Sequence, residues 1–199
     1  MHALATPRLP SELDELTLRR AQIGDERAWR DLIAIYQDRV HALIWRMLAG
    51  RARHRAPDLT AETFVRVLRA LPRFELAGPA KISSWILTIA TRLSINELRR
   101  PDAASLEAEP VGPSTRADSD LERAQVGAAI AAGIATLDDT QRAVLVLREY
   151  HDLDYAEIAV ALVIEVGTVK SRLSRARSGL RTYLENVMPE LGPESGARR

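Results

Sequence analysis

The stretch from Val166 to Leu184 holds Lys170, Arg172, Arg175, Arg177 and Arg181 and no acid. Thr168, Ser171 and Ser174 are interleaved with these cations, so at helical spacing Thr168, Lys170, Ser171, Arg172, Ser174 and Arg175 crowd the N-terminal half of one helix. Arginine forks onto guanine edges, hydroxyls bond phosphates or bases, and a helix start attracts phosphate by itself. That chemistry is recognition of a polyanion; the plain alternative is a basic amphipathic helix in a bundle. A second set, Thr88, Arg92, Asn96 and Arg99, recurs at steps of four, four and three, with Arg100 beside it. Neither set does covalent chemistry. There is no phosphate-binding GxxxxGK[ST] and no HExxH, and His2, His41, His54 and His151 lie far apart without metal-ligand spacing. Asp138 and Asp139 stand at a helix start, where capping accounts for them. No catalytic residue, metal or cofactor is expected.

The chain has 199 residues, room for one large domain or two small ones. Its net charge is +1, with 26 Arg against 2 Lys and no cysteine, which excludes disulfides and thiolate chemistry. The small net charge conceals alternation. From Arg19 to Arg73 there are 12 Arg against 6 acids, from Pro101 to Arg123 there are 6 acids against 2 Arg, and the acid-free helix follows further on. Two basic regions either side of an acidic one can grip one polyanion at two places. No run reaches ~18 apolar residues, so no membrane insertion is expected. The first residues lack the apolar stretch of a signal peptide, and the expected location is the cytoplasm.

Positioning these residues requires helices. Ser11 reads as the cap of a first helix ending at Gly24, and Asp25 as the cap of the next. That second helix carries Trp29, Leu32, Ile33, Tyr36, Val40, Leu43 and Met47 at steps of three and four, and stops at Gly50. After the basic loop Gly50 to Pro57 comes a third helix, Asp58 to Leu71, closed by Pro72. A fourth runs from Ser83 to Arg100, with Trp85, Ile86, Ile89, Ala90 and Leu93 on its apolar side. Residues 101–119 are rich in Pro, Ser, Ala and acids, the composition of a flexible linker. Four helices follow, 120–136, 138–150, 155–163 and 166–187, the third opened by an Asp154/Glu157 capping box. The expected fold is all-α: two small helical domains, 11–100 and 120–188, joined by a flexible acidic linker, with loose ends at 1–10 and 189–199.

Within the second domain, Ile158, Ala159 and Leu162 end a short helix, and Val169, Leu173 and Leu180 line the long one. A small residue at Ala159 lets the two cross closely, which is helix-turn-helix logic. The run EIA, Leu162, and GTVKSRLSRAR from Gly167 to Arg177 resembles the fourth conserved region of bacterial sigma factors of the extracytoplasmic-function (ECF) group. The segments from Gly24 to Val40, Asp58 to Phe74 and Ser84 to Arg100 are similar to that group's second region, and the short linker fits as well.

The resemblance implies a transcription initiation factor that binds RNA polymerase core, recognises the −35 and −10 promoter elements, assists melting and is controlled by an anti-sigma factor. Its partners would be the beta-prime clamp helices, the beta flap and promoter DNA. Asp58, Glu62, Thr63 and Arg66 would face the clamp helices, where an ordinary solvated helix face is the alternative. Thr168, Lys170, Ser171, Arg172, Ser174, Arg175 and Arg177 would read the upstream element. The loop from Phe74 to Lys81 would receive a flipped base, and Trp85, Arg92, Asn96, Arg99 and Arg100 would lie along the melting strand, since opened bases want an aromatic pocket and their backbone wants cations. Trp85 also lies on the apolar face, the place of an ordinary core tryptophan.

Some positions depart from the group. Where it carries Gly after the helix-turn-helix Leu, this chain has Val163, and Glu165 stands for a common Pro; a β-branched residue at positive φ would cost about 1 kcal/mol or more. Arg92 and Asn96 replace residues often Asn and Asp. The loop Gly50 to Pro57 has no role beyond general contact with DNA or polymerase. A linker of about 20 residues averages roughly 25 Å and reaches at most ~70 Å, enough for two domains on elements about two turns, near 70 Å, apart. The competing function is a dimeric helix-turn-helix regulator acting without polymerase, its seam supplied by Val126, Ile130 and Ile134.

Overall fold

The structure is a computed structural model that describes residues 12–78, 80–100 and 118–189. Among these residues the regular structure is helical: α1 (Glu15–Gln22), α2 (Glu26–Met47), α3 (Ala56–Ala70), α4 (Ile82–Leu98), α5 (Asp118–Thr136), α6 (Asp139–Glu149), α7 (Tyr155–Leu162) and α8 (Val166–Val187), with single 3₁₀ turns at Arg53–Arg55 and Leu71–Arg73. The expected loose N-terminus, the linker up to residue 117 and the tail from residue 190 lie outside the described residues; residues 118 and 119, expected in the linker, begin α5.

Short polar side chains set the helix starts. Asp14 accepts Thr17 N at 2.9 Å, Asp25 accepts Arg27 N and Ala28 N, and Asp138 accepts Thr140 N and Gln141 N. These carboxylates fill N–H groups that a helix start leaves open, and the bonds hold Asp14 and Asp25 below the usual carboxylate pKa. The cap of α1 is therefore Asp14 and not Ser11, which lies outside the described residues. Gly24 (φ 91°) and Gly50 (φ 81°) turn the chain after α1 and α2 through left-handed backbone that favours glycine.

The expected apolar stripe of α2 is its buried face: Leu32, Val40, Leu43 and Met47 are fully buried, and Tyr36 reaches back so that its hydroxyl accepts Leu13 N at 2.9 Å and donates to Glu12. Against this stripe pack α1, α3 and α4. The second group of helices centres on α6, whose Val144, Leu145, Val146 and Leu147 are buried, together with Ile158, Val169, Leu173 and Ala176. Gly133 gives α8 its seat on α5, since a Cβ there would stand 2.6 Å from Leu180 Cδ1.

The two groups are not apart. Helix α4 packs on α2 and α3 on one side and on α7 on the other, and α2 also touches α6 and α5. That explains why α4 buries Leu87, Thr91, Ser94 and Leu98 in addition to its expected apolar side. Thr91 and Ser94 bond back to the carbonyls of Leu87 and Ala90, at 2.7 and 2.9 Å, so that burial strands no hydroxyl.

Candidate nucleic-acid and polymerase interface

The helix-turn-helix is built from the capping box outward. Asp154 accepts Glu157 N at 2.8 Å while Glu157 accepts Asp154 N at 2.8 Å, which starts α7 at Tyr155. At the other end Val163 adopts φ 56°, ψ 53°, the left-handed conformation the sequence flagged. Its side chain is 77% exposed, so no packing gain offsets that backbone. Val163 N and Ile164 N both bond to Ala159 O. The next two carbonyls, of Val160 and Ala161, are taken by Arg92 of α4, through Nη2 and Nε, each at 3.1 Å.

Helix α8 buries Val169, Leu173 and Ala176. That leaves Lys170, Ser171, Ser174 and Arg175 exposed on the outer face, with Thr168 and Arg172 half-buried beside them. Arg177 is exposed but engaged, its Nε and Nη2 donating to Glu149 at 3.0 and 2.6 Å. Lys170, Ser174, Arg177, Ser178 and Arg181 line a cation-rich groove of about 350 Å³ with Tyr155. Ser178 and Tyr155 were missed in the sequence; the i, i+4 step from Ser174 to Ser178 was the available signal.

In the first group, Phe74 and Trp85 meet with ring centroids 5.0 Å apart and, with Arg69, Ala70 and Arg73, line a cavity of about 310 Å³. Gln22 fixes the entry to this loop, donating to Leu71 O at 3.0 Å and Phe74 O at 2.7 Å. Trp85 is half-buried, both packed on the core and lining the cavity. Arg69 and Arg73, one helical turn apart ahead of Phe74, are the members that sequence reasoning overlooked. Lys81, Asn96, Arg99 and Arg100 are exposed, and Arg100 pairs with Glu97 at 3.1 Å.

On α3, Asp58, Glu62 and Arg66 reach the surface, Asp58 paired with Arg55 at 2.8 Å and Glu62 with Arg66. Thr63 does not. It is fully buried, with Oγ1 donating to Leu59 O at 2.7 Å, so the fourth expected polymerase contact belongs to the interior. Val65, 45% exposed between Glu62 and Arg66, takes a place on that outer face. The basic loop also turns inward: Arg51 pairs with Asp139, Arg53 lies 5.0 Å from the Trp45 ring centre, and Arg55 joins Glu97 and Asp58.

Residues 32–103 match the sequence family described as Sigma-70 region 2, and residues 128–180 match Sigma-70, region 4. The RNA polymerase sigma-H factor of Pseudomonas aeruginosa is 31% identical over 195 residues, covering 92% of this chain and 99% of that protein. The chain belongs to the ECF RNA polymerase sigma factors. SigE of Mycolicibacterium smegmatis, named an ECF RNA polymerase sigma factor, is 34% identical over 170 residues; the match covers 81% of this chain and 64% of that one. The fold is that of the sigma factor RpoE from Bartonella quintana, solved in complex with the anti-sigma factor NepR, with a TM-score of 0.66 at 20% identity over 80% of this chain and 98% of the other. In family terms α2 to α4 fall in region 2 and the helix-turn-helix in region 4. Sigma factors are transcription initiation factors, and these matches favour that reading over the dimeric regulator. Among the described residues no helix is long and apolar enough to cross a membrane.

Proposed function

We propose that this ECF sigma factor docks on RNA polymerase core and directs it to promoters whose −35 element is read by α8 and whose −10 element is opened against α4 and the loop from Phe74 to Lys81. The observation that carries the reading is the outer face of α8: Lys170, Ser171, Ser174 and Arg175 exposed together, without an acid, on the second helix of a helix-turn-helix. Such a helix enters a major groove, where arginine discriminates guanine edges. The cavity between Phe74 and Trp85, edged by Arg69 and Arg73, has the aromatic wall and cations that an unstacked base and its phosphate need. Asp58, Glu62, Val65 and Arg66 form the face for the beta-prime clamp helices, and the beta flap meets region 4. The chain does no chemistry of its own and works in the cytoplasm. An anti-sigma factor, the kind of partner present in the Bartonella quintana structure, holds it inactive. The domain limits 11–100 and 120–188 are the working units of this assignment.

The test is co-purification of the full chain with core polymerase, followed by transcription from a mixed-promoter library. Stable association with new, selective transcripts is expected. Salt-sensitive binding to duplex DNA by the chain alone, with no affinity for core, would replace this function by the dimeric regulator.

A further inference from the structure

Among the cations of α8, Arg177 is set apart by its partner. The buried positions Val169, Leu173 and Ala176 fix the rotation of the helix. Lys170, Ser174, Arg177 and Arg181, at steps of four, three and four, then run along one flank and line the groove of about 350 Å³ beside Tyr155. Cations and hydroxyls along the edge of a helix that enters a major groove meet the phosphates of the strand bordering that groove. An acid from another helix projects onto this edge. Glu149, the last residue of α6, accepts Arg177 Nε at 3.0 Å and Nη2 at 2.6 Å on its Oε1. Those two nitrogens form the side-on edge with which a guanidinium grips a phosphate. Among the described residues this is the one ion pair of α8. The Arg177 and Glu149 side chains are 52% and 42% exposed, so the pair adds little to stability and is open to competition from an outside anion.

We propose that Glu149 is a built-in competitor of DNA phosphate: it withholds Arg177 from the strand and so lowers the affinity of α8 for duplex DNA of any sequence. The inference rests on the assignment of α8 to the upstream element. Each phosphate neutralised on duplex DNA adds about 0.9 to the slope of log affinity against log salt, whatever the sequence. An acid that keeps one cation occupied removes one such contact from matched and unmatched DNA alike. It leaves Ser171 and Arg175, on the outer face, free for base edges. Sequence-independent affinity is the part for which every other stretch of a genome competes, so holding it down keeps the factor free to reach its promoters.

The test is duplex titration of the full chain, alone and in complex with core polymerase, at salt from about 50 to 200 mM. One duplex carries the upstream element recovered from the promoter library, the other a scrambled sequence. Glu149→Gln keeps the shape of the side chain and removes its charge. It is expected to tighten both duplexes by the same factor and to steepen the salt slope by about 0.9, so that its advantage over the parent grows about 3.5-fold from 200 to 50 mM. Arg177→Ala is expected to flatten the slope by less than half of that amount, and Glu149→Gln added to Arg177→Ala to bring back no steepening. Flattening by the full amount in Arg177→Ala would put the guanidinium on phosphate already, and weaker binding by Glu149→Gln would make the acid a brace for Arg177. Either result overturns the proposal. So does a gain that survives in the double variant, which would make Glu149 a general negative charge and not the competitor for Arg177. Loss of transcripts with core while duplex binding persists would overturn the initiation reading alone, since the titrations still decide the role of Glu149. Absence of duplex binding, alone and with core, would overturn both.

Discussion

Val163 is a residue whose backbone conflicts with its type. L-residues in the left-handed region lose roughly 1–2 kcal/mol, and glycine avoids this at an entropic cost of roughly 0.5–1 kcal/mol. Because the Val163 side chain is 77% exposed, Val163→Gly sacrifices almost no packing. The variant is expected to gain up to about 1 kcal/mol, read as a Tm higher by about 2–4 °C. A Tm at or below that of the parent would show that the turn is not strained. The conflict was legible through the resemblance, because this chain has Val163 where the ECF group carries Gly. Its partner was not: Arg92 closes the same helix end from 68 residues away, and no local pattern announces that. On α8 the cations divide by partner. If Arg175 and Arg172 reach base edges as proposed, Arg175→Ala and Arg172→Ala are each expected to lose about 1–3 kcal/mol in recognition of the upstream element. Arg177→Ala is expected to do less, since Glu149 already holds that side chain. Promoter-library selectivity measures all three, and unchanged selectivity in both Arg172→Ala and Arg175→Ala would remove α8 from base reading.

Helices were legible where a cap and a 3.6-residue stripe agreed. Asp25 with the stripe from Trp29 to Met47, and Asp154 with Glu157, gave elements within three residues of their final limits. The outward and inward faces of α3 were legible too, had the steps of four from Leu59 to Thr63 to Val67 been weighed: all three are buried, and Thr63 satisfies its hydroxyl within the helix. Helix α4 could not be read in full from its own residues, because its second buried side is created by α7, far along the chain. The loop from Gly50 to Pro57, read only as a general contact with DNA or polymerase, instead finds partners for Arg51, Arg53 and Arg55 within the fold. The outer face of α3 yields a test. Glu62→Lys sets two cations at i, i+4 with Arg66, a cost of only about 0.2–0.5 kcal/mol in helix stability. The variant is expected to keep its helical circular dichroism and lose co-purification with core polymerase. Normal retention on core would exclude this face from the clamp contact.

For the molecule as a whole, the contact between the two regions contains a titratable group. His151, in the turn between α6 and α7, is 7% exposed, and its Nε2 is buried without a hydrogen-bond partner. Burial, together with the charges of Arg39 and Arg46 on α2, pushes its pKa down from 6.5 to about 4. The neutral ring is the form the folded chain holds, while the unfolded chain takes up a proton near 6.5. Between those two values the unfolded state binds more protons, so stability falls as pH falls, by at most about 1.4 kcal/mol per pH unit. The stability linked to this group is thus fully present above pH 6.5 and is lost progressively down to about 4, an amount on the order of 3 kcal/mol for a shift of that size. Because α2 belongs to region 2 and His151 to region 4, the protonated ring would sit against two arginines across the contact, and acid is expected to part the regions as well as to destabilise them. Denaturant titrations of the parent and of His151→Gln at pH 7.5 and pH 5 check this. The parent is expected to lose stability between the two, whereas the glutamine variant, which cannot charge, keeps most of its own. Equal pH dependence in both proteins would place the acid sensitivity elsewhere.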